Sequence, residues 1–319
     1  MLEPVGVKLG SLNTVVAYRK RIIRELTVVA RTGGSLSNPR YVFSHSAFRH
    51  SSAVYPLRFG MPTSEESASL LSEYVKWLLK DISEESFIVF AVPMMNFEQG
   101  IALLKKSLST IKAKQLFTEA FCTAVNVLCR RATEIEDMIF LVANLGSTTT
   151  EFAVFDGFTR RASRSYPEPS GNQLDREIAS LLSERLGGAY ISDNEAREIK
   201  ERFSLDNPRD FSLKVLVGGR IRERVIRNEW LRESINSYLA DVLSKTEEFL
   251  SQVEPELLSR LVSFGSVVVG GGMCNLKGSR KVIAEKMEEL LDLKPSFPKD
   301  GVAAPALGAR LIAEHFITS

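Results

Sequence analysis

Apolar residues along this chain alternate between short runs with strand periodicity and longer stretches repeating every three to four residues. VGVKLG predicts a strand running into a Gly turn, and NTVVAYRK and ELTVVART predict further strands. Residues 33–62, rich in Gly, Ser, Pro and Arg, carry no clear period and predict irregular structure. From Ser64 to Lys80, Leu70, Leu71, Tyr74, Trp77 and Leu78 recur at helical spacing. FIVFAVP follows as a buried strand stopped by Pro93, then helices over Asn96–Ile111 and Glu119–Arg131. A second cycle begins with IFLVANLG and TTEFAVFDG as strands. Helices are expected over Gly171–Leu186, Asn194–Phe203 and Asn228–Leu250, with a small strand or two within 204–222. LVSFGSVVVGGG predicts a strand ending in three glycines, followed by a helix from Lys277 to Leu291 and a last helix in VAAPALGARLIAEHF. Strands alternating with helices place the chain in the α/β class.

Composition narrows this little but excludes much. The 319 residues suggest two domains, at roughly 100–200 residues each. With 44% hydrophobic and 25% charged residues, a disordered chain, a collagen and a disulfide scaffold are excluded. Forty-one basic against 39 acidic residues leave +2, so neither nucleic acid nor an anionic membrane is expected as partner. Cys122, Cys129 and Cys274 form no CxxC, which fits a reducing cytoplasm. No run reaches the ~18 apolar residues of a spanning helix, and MLEPVGVKLG lacks the regions of a signal peptide.

One pattern occurs twice. VGVKLGSLNTVVAY and FLVANLGSTTTEFAVF are each a strand, a turn of Gly, Ser, Thr and Asn, and a second strand. Two copies suggest two related domains. Such turns bring backbone N–H groups close to an anion and add hydroxyl donors, so two facing hairpins could hold a polyphosphate. Ordinary hairpins would explain one such turn. Two of them, with GGG after a later strand, favour a nucleotide site.

At these residues the chain resembles the actin, sugar kinase and 70-kDa heat-shock chaperone superfamily, and within it MreB-like prokaryotic actin-like proteins. KLGSLNTVVAY is similar to the first phosphate hairpin and NLGSTTTEFAVF to the second. FAVPMMNFEQGIALLKKSL resembles the strand–Pro–helix between them, and TEAFCTA the segment whose acid, here Glu119, positions the attacking water. SGNQLDREI is similar to the helix start that carries Gly171 and Asp175. VVVGGGMCNLKG resembles the adenosine motif and PALGARL the closing helix. The resemblance implies a ribonuclease H-like, two-domain actin-like fold with an interdomain nucleotide cleft. Residues 1–143 with 301–319 would form one domain and 144–300 the other. It assigns phosphate binding to Lys8, Gly10, Ser11, Asn13, Asn144, Gly146, Ser147, Thr148 and Thr149. It assigns adenosine binding to Gly171, Asp175, Arg197, Lys200, Gly270, Gly271, Gly272 and Met273.

Departures from the family pattern matter equally. The Asp that opens each hairpin in the family is Lys8 in the first and Asn144 in the second, and an acid expected near the ribose is Arg197. Magnesium takes hard oxygen ligands and waters oriented by carboxylates. Lys8 can pair with a phosphate but cannot organise a metal's water shell, so phosphate binding should survive better than hydrolysis.

The resemblance therefore implies a cytoplasmic, filament-forming protein that binds ATP or ADP, with magnesium doubtful and hydrolysis by Glu119 weak or absent. The alternatives are a non-hydrolysing scaffold or partner of another actin-like or membrane-complex protein, and, last, a sugar or acetate kinase-type enzyme. Cys122 and Cys129 fit a small apolar core pair better than a redox site, and His45, His50 and His315 have no metal-ligand pattern around them. The five arginines of GGRIRERVIRNEWLRES suit a solvated helix face, and YRKRIIRE an exposed strand edge guarded by charge.

Overall fold

The computed structural model describes residues 2–35, 39–94, 98–112, 114–207, 209–292 and 294–318. The chain divides into two compact units. Unit 1 comprises residues 1–138, 155–161 and 302–319; unit 2 comprises 139–154 and 162–301.

In unit 1 the strands β1 (Glu3–Leu9), β2 (Asn13–Tyr18) and β3 (Arg21–Leu26) form a meander. They join β7 (Ser86–Val92) and β8 (Lys114–Thr118) in a five-stranded sheet ordered β3-β2-β1-β7-β8. β1 pairs antiparallel with β2 and parallel with β7. Arg-rich β3 is the charged edge that YRKRIIRE predicts. Helices α2 (Glu65–Leu78) and α3 (Glu98–Ser107) occupy the crossovers to the parallel strands β7 and β8, and α4 (Glu119–Leu128) follows β8. Ser64 and Ser67 form a reciprocal capping box at the start of α2, which satisfies two otherwise orphaned N–H groups. The C-terminal helix α10 (Ala304–Thr318) packs against β1 and α4. Gly6 and Gly308 permit that approach: a Cβ at Gly6 would collide with the Ala306 carbonyl, and one at Gly308 with the Cys122 carbonyl.

Residues 33–62 are not simply irregular. They hold part of β4 (Val29–Gly34), β5 (Pro39–Phe43), the short helix α1 (Ser44–Phe48) and β6 (Ala53–Val54), with a three-stranded sheet ordered β5-β4-β6. Thr27 and Val28 break ELTVVART between β3 and β4. The expected start of α3 at Asn96, and Met95–Phe97 of the strand–Pro–helix motif, lie outside the described residues.

Unit 2 is built on β9 (Ile139–Leu145), β10 (Thr150–Asp156), β11 (Thr159–Tyr166) and β14 (Ser266–Gly270), ordered β11-β10-β9-β14. Residues 155–161, at the turn end of the β10–β11 hairpin, count with unit 1. β9 is continuous and fully buried and lies whole within unit 2. β9 pairs parallel with β14 as β1 does with β7. The repeated hairpin thus has the same neighbour type in both units. Helices α5 (Gly171–Arg185), α6 (Asp193–Arg202), α7 (Asn228–Leu250), α8 (Pro255–Phe264) and α9 (Ser279–Leu291) complete the unit.

Two predicted elements differ. LVSF is the end of α8, and the strand begins only at Ser266; Pro255 at the first turn is a helix-start signal. The basic stretch opens with a strand, not a helix face: β12 (Phe211–Val217) and β13 (Arg220–Ile226) pair in a two-stranded hairpin. Gly218 and Gly219 both have positive φ, 57° and 75°, as a two-residue hairpin turn requires.

Candidate functional site

In unit 1 the first turn spans Gly10–Leu12 between β1 and β2. Lys8, one residue before the end of β1, is half-buried and pairs in register with Val15 and Ala91. Its Nζ reaches over the turn to lie 3.4 Å from the Asn13 carbonyl oxygen. No ion pair of Lys8 exists among the described residues. A half-buried cation without a carboxylate is favourable only beside water or an anion. Ser11 Oγ accepts the Gly60 N–H at 2.6 Å, and Thr27 Oγ1 donates to the Gly10 carbonyl at 2.7 Å. The turn is therefore braced from behind. Among the described residues the backbone N–H groups of Ser11 and Leu12 donate to nothing in the chain.

Glu119 also lies in unit 1, where it opens α4 and is buried. Thr118 caps that helix by accepting the Phe121 N–H, so Glu119 is held in the first turn, where a carboxylate is favoured by the helix dipole.

In unit 2 the second turn, Gly146–Thr149, joins β9 to β10. Gly146 donates its N–H to the Thr149 carbonyl at 2.9 Å. The first N–H groups of α5 close on the same turn: Gly171 donates to the Gly146 carbonyl at 3.0 Å and Asn172 to the Ser147 carbonyl at 2.7 Å. Ser170 caps α5 by accepting the Gln173 N–H, and Thr150 Oγ1 donates to the Pro169 carbonyl. Ser147 and Thr148 are half-buried residues, and their N–H groups have no acceptor among the described residues. Both turns thus present free backbone donors and hydroxyls, the components of an anion-binding nest. Asn144, at the head of this hairpin, is buried and pairs in register with Gly270.

The residues expected around the adenosine fall into two groups of unit 2. Gly270 ends β14, Gly271 follows at φ 91°, and Gly272 and Met273 begin a 3-10 turn. A Cβ at Gly271 would run into the Leu145 backbone, so the glycine allows the GGG segment to lie directly on the end of β9. Asp175, Arg197 and Lys200 form the other group. Asp175 is 1% exposed; its carboxylate takes Lys200 Nζ at 2.6 Å and Arg197 Nε at 3.0 Å. Arg197 also donates to Asn172 Oδ1 at 3.2 Å, and Lys200 to the Gly171 carbonyl at 3.3 Å. Both cations are committed to α5. Sequence reasoning grouped these residues by resemblance but missed that Asp175 is their common acceptor.

The donor set does not fit a magnesium ion. The residues at and before the two turns supply an ammonium, hydroxyls and amides, with no carboxylate, and no group of three or more His, Cys, Asp or Glu able to hold a metal occurs among the described residues. A hard dication prefers anionic oxygen ligands, whereas the donors of each turn taken by itself are of the kind that suit a phosphate oxygen. The three cysteines are buried. Burial raises the Cys122 thiol well above its ordinary value, with Glu119 adding to the effect, and pushes Cys274 up to about 12. These thiols are inert core residues rather than nucleophiles. Among the described residues, no helix is long and apolar enough to cross a membrane.

A family model described as Salactin matches residues 2–317. The Salactin of Halobacterium salinarum is 25% identical over 338 residues, covering 98% of this chain and 92% of that protein. Among solved structures, MreB5 of Spiroplasma citri bound to ADP superposes with a TM-score of 0.79 at 19% identity, covering 99% of this chain and 98% of that one. A MamK double helical filament gives a TM-score of 0.79 at 21% identity, covering 97% and 98%. The fold is that of the prokaryotic actin-like proteins.

Proposed function

The chain belongs to the Salactin family, and we propose that it is an actin-like protein that binds the polyphosphate of a nucleotide, ATP or ADP, and assembles with copies of itself. The observation that carries the binding is Lys8, a half-buried cation without an ion pair among the described residues, over a turn with free N–H groups. Lys8, Ser11 and Asn13 would hold phosphate oxygens from the first turn. Asn144, Ser147, Thr148 and Thr149 would do so from the second, with Gly10 and Gly146 allowing close approach. Gly270–Met273 would carry the adenosine. Gly171, Asp175, Arg197 and Lys200 would fix the helix start beside the second turn. The solved structures of MreB5 with ADP or AMPPNP and of MamK as a filament support both parts of the reading.

The lack of a carboxylate at either turn favours a second reading for turnover. Phosphate is bound by a fixed ammonium without metal-assisted cleavage, and the protein acts as a slow or non-hydrolysing scaffold. Glu119 is the residue that would orient water if hydrolysis occurs. The chain would then work in the cytoplasm, alone or beside another actin-like protein.

Calorimetric titration with ATP, with and without magnesium, tests the site, and sedimentation of assembled protein tests self-association. Saturable binding of similar strength in both conditions is expected. Binding only with magnesium would overturn the role of Lys8. No binding under either condition would withdraw the nucleotide reading and leave the fold in place.

A further inference from the structure

Some surface cations of this chain are matched to acids close by in sequence. Lys76 pairs with Glu73 at 2.7 Å, Lys245 with Glu248 at 2.6 Å and Lys286 with Glu289 at 2.7 Å. One region of unit 2 gathers several cations, unpaired among the described residues, around two adjoining grooves. A groove of about 540 Å³ is lined by Lys277, Arg280, Lys281 and Lys299 against two carboxylates, Asp206 and Asp300. A second groove, of about 530 Å³, carries Arg202 and Arg209 against Asp210 and shares Lys277 with the first. Lys277, Lys281, Lys299, Arg202 and Arg209 are all exposed and make no ion pair among the described residues.

The backbone holds this arrangement open. Leu205 donates its N–H to the Lys277 carbonyl at 2.9 Å, and Ser204 bridges Lys277. The segment after α6 and the one before α9 are thereby fixed as a common wall, with Lys277 facing both grooves. Gly278 turns that wall at φ 86°, and a Cβ there would press on the Asp206 backbone. Arg280 is used structurally: it donates to the Cys274 carbonyl at 2.9 Å and to the Lys299 carbonyl at 3.0 Å, tying the Lys299 segment to the groove.

Cations that outnumber the carboxylates around them raise the local potential and attract an anion. Each groove has the size of a small-molecule site, about 300–1,000 Å³. The chain as a whole is only +2, so the excess is local rather than a general affinity for nucleic acid. We propose that the paired grooves are a second ligand site, for a small polyanion carrying two or more linked phosphates, with Lys277 contacting the ligand from the wall between them. The site does not depend on nucleotide binding at the two turns.

Tripolyphosphate titration with lysine acetylation footprinting tests this, with sodium sulfate at matched ionic strength as the screening control. Lys277, Lys281 and Lys299 should become protected together, at one half-protection concentration, while exposed Lys105 does not. K277Q/K281Q should raise that concentration at Lys299 by roughly tenfold or more, the loss of a charge-assisted hydrogen bond or two. K8A should leave it unchanged. If the double variant misfolds, judged by circular dichroism, K299Q with protection read at Lys277 replaces it. Protection equal to that in sulfate, protection spread over all lysines, or loss of protection in K8A would overturn the proposal.

Discussion

Lys200 places its ammonium 2.6 Å from the carboxylate of Asp175, and both side chains are buried. The pair joins α6 to α5 near its start, and Arg197 shares the same acceptor from the other oxygen. Removing one member of a buried ion pair leaves the remaining charge uncompensated, typically at a cost of about 3–5 kcal/mol. D175A is therefore expected to lower the stability of the protein by about that amount in chemical denaturation. D175N, which keeps one acceptor oxygen, should cost less. Equal stability of D175A and the parent protein would contradict the arrangement.

Lys8 bears on ligand affinity rather than on folding. Its ammonium meets one backbone carbonyl, so K8A should unfold near the parent temperature. Its affinity for ATP should fall by roughly tenfold or more, the worth of a charge-assisted hydrogen bond. The double substitution K8D/N144D should make binding depend on magnesium, because it supplies carboxylates that can orient a metal's waters. Titration of both variants, with and without magnesium, checks this.

Glycines at close approaches and glycines in open turns should respond differently to alanine. G308A drives a methyl group into the Cys122 carbonyl between two packed helices, and overpacking of this kind costs about 1–3 kcal/mol or more. Gly187 has φ 73° with nothing near its Cβ position, so G187A should cost only the left-handed backbone term, about 1–2 kcal/mol. Thermal melts should rank G308A below G187A.

The buried thiols set an alkaline limit. Unfolding exposes Cys274, whose ordinary value is 9.0, whereas burial holds it near 12 in the folded protein. Above pH 9 the unfolded chain releases this proton and the folded chain keeps it. The stabilisation is thus complete below pH 9 and is lost as pH rises towards 12, at up to about 1.4 kcal/mol per pH unit. C274A should flatten that part of the stability curve. Native protein at neutral pH should react slowly with a thiol reagent at Cys122 and Cys274, and rapidly once denatured.

Much of this was legible from residue order because local chemistry decides it. Ser64 before a helical apolar period marked α2, and the two Gly/Ser/Thr turns between apolar strands marked the hairpins of both units. What escaped was set by residues far apart or by ambiguous runs. LVSF is equally apolar in a strand or on a helix face, and only Pro255 six residues before Leu261 distinguishes them. RIRERVI has arginine at positions that a helix or a strand edge would expose equally, and the signal was the Gly218–Gly219 turn. The capture of Arg197 and Lys200 by Asp175 spans more than 20 residues, and no local pattern encodes it.

The hydrogen bonds from Gly171 and Asn172 to the carbonyls of Gly146 and Ser147 make the second turn electrically one-sided. Two of its carbonyl oxygens are spent on the helix and a third on the turn itself, while the N–H groups of Ser147 and Thr148 remain without an acceptor among the described residues. If the turn holds phosphate as proposed, a cation would find few carbonyls left to bind it, while an anion would meet unused N–H donors. Reversing those peptides would also unravel the start of α5. On that proposal selection by sign of charge would be written into the backbone itself, and side-chain substitutions at Ser147 or Thr148 would tune its strength without inverting it.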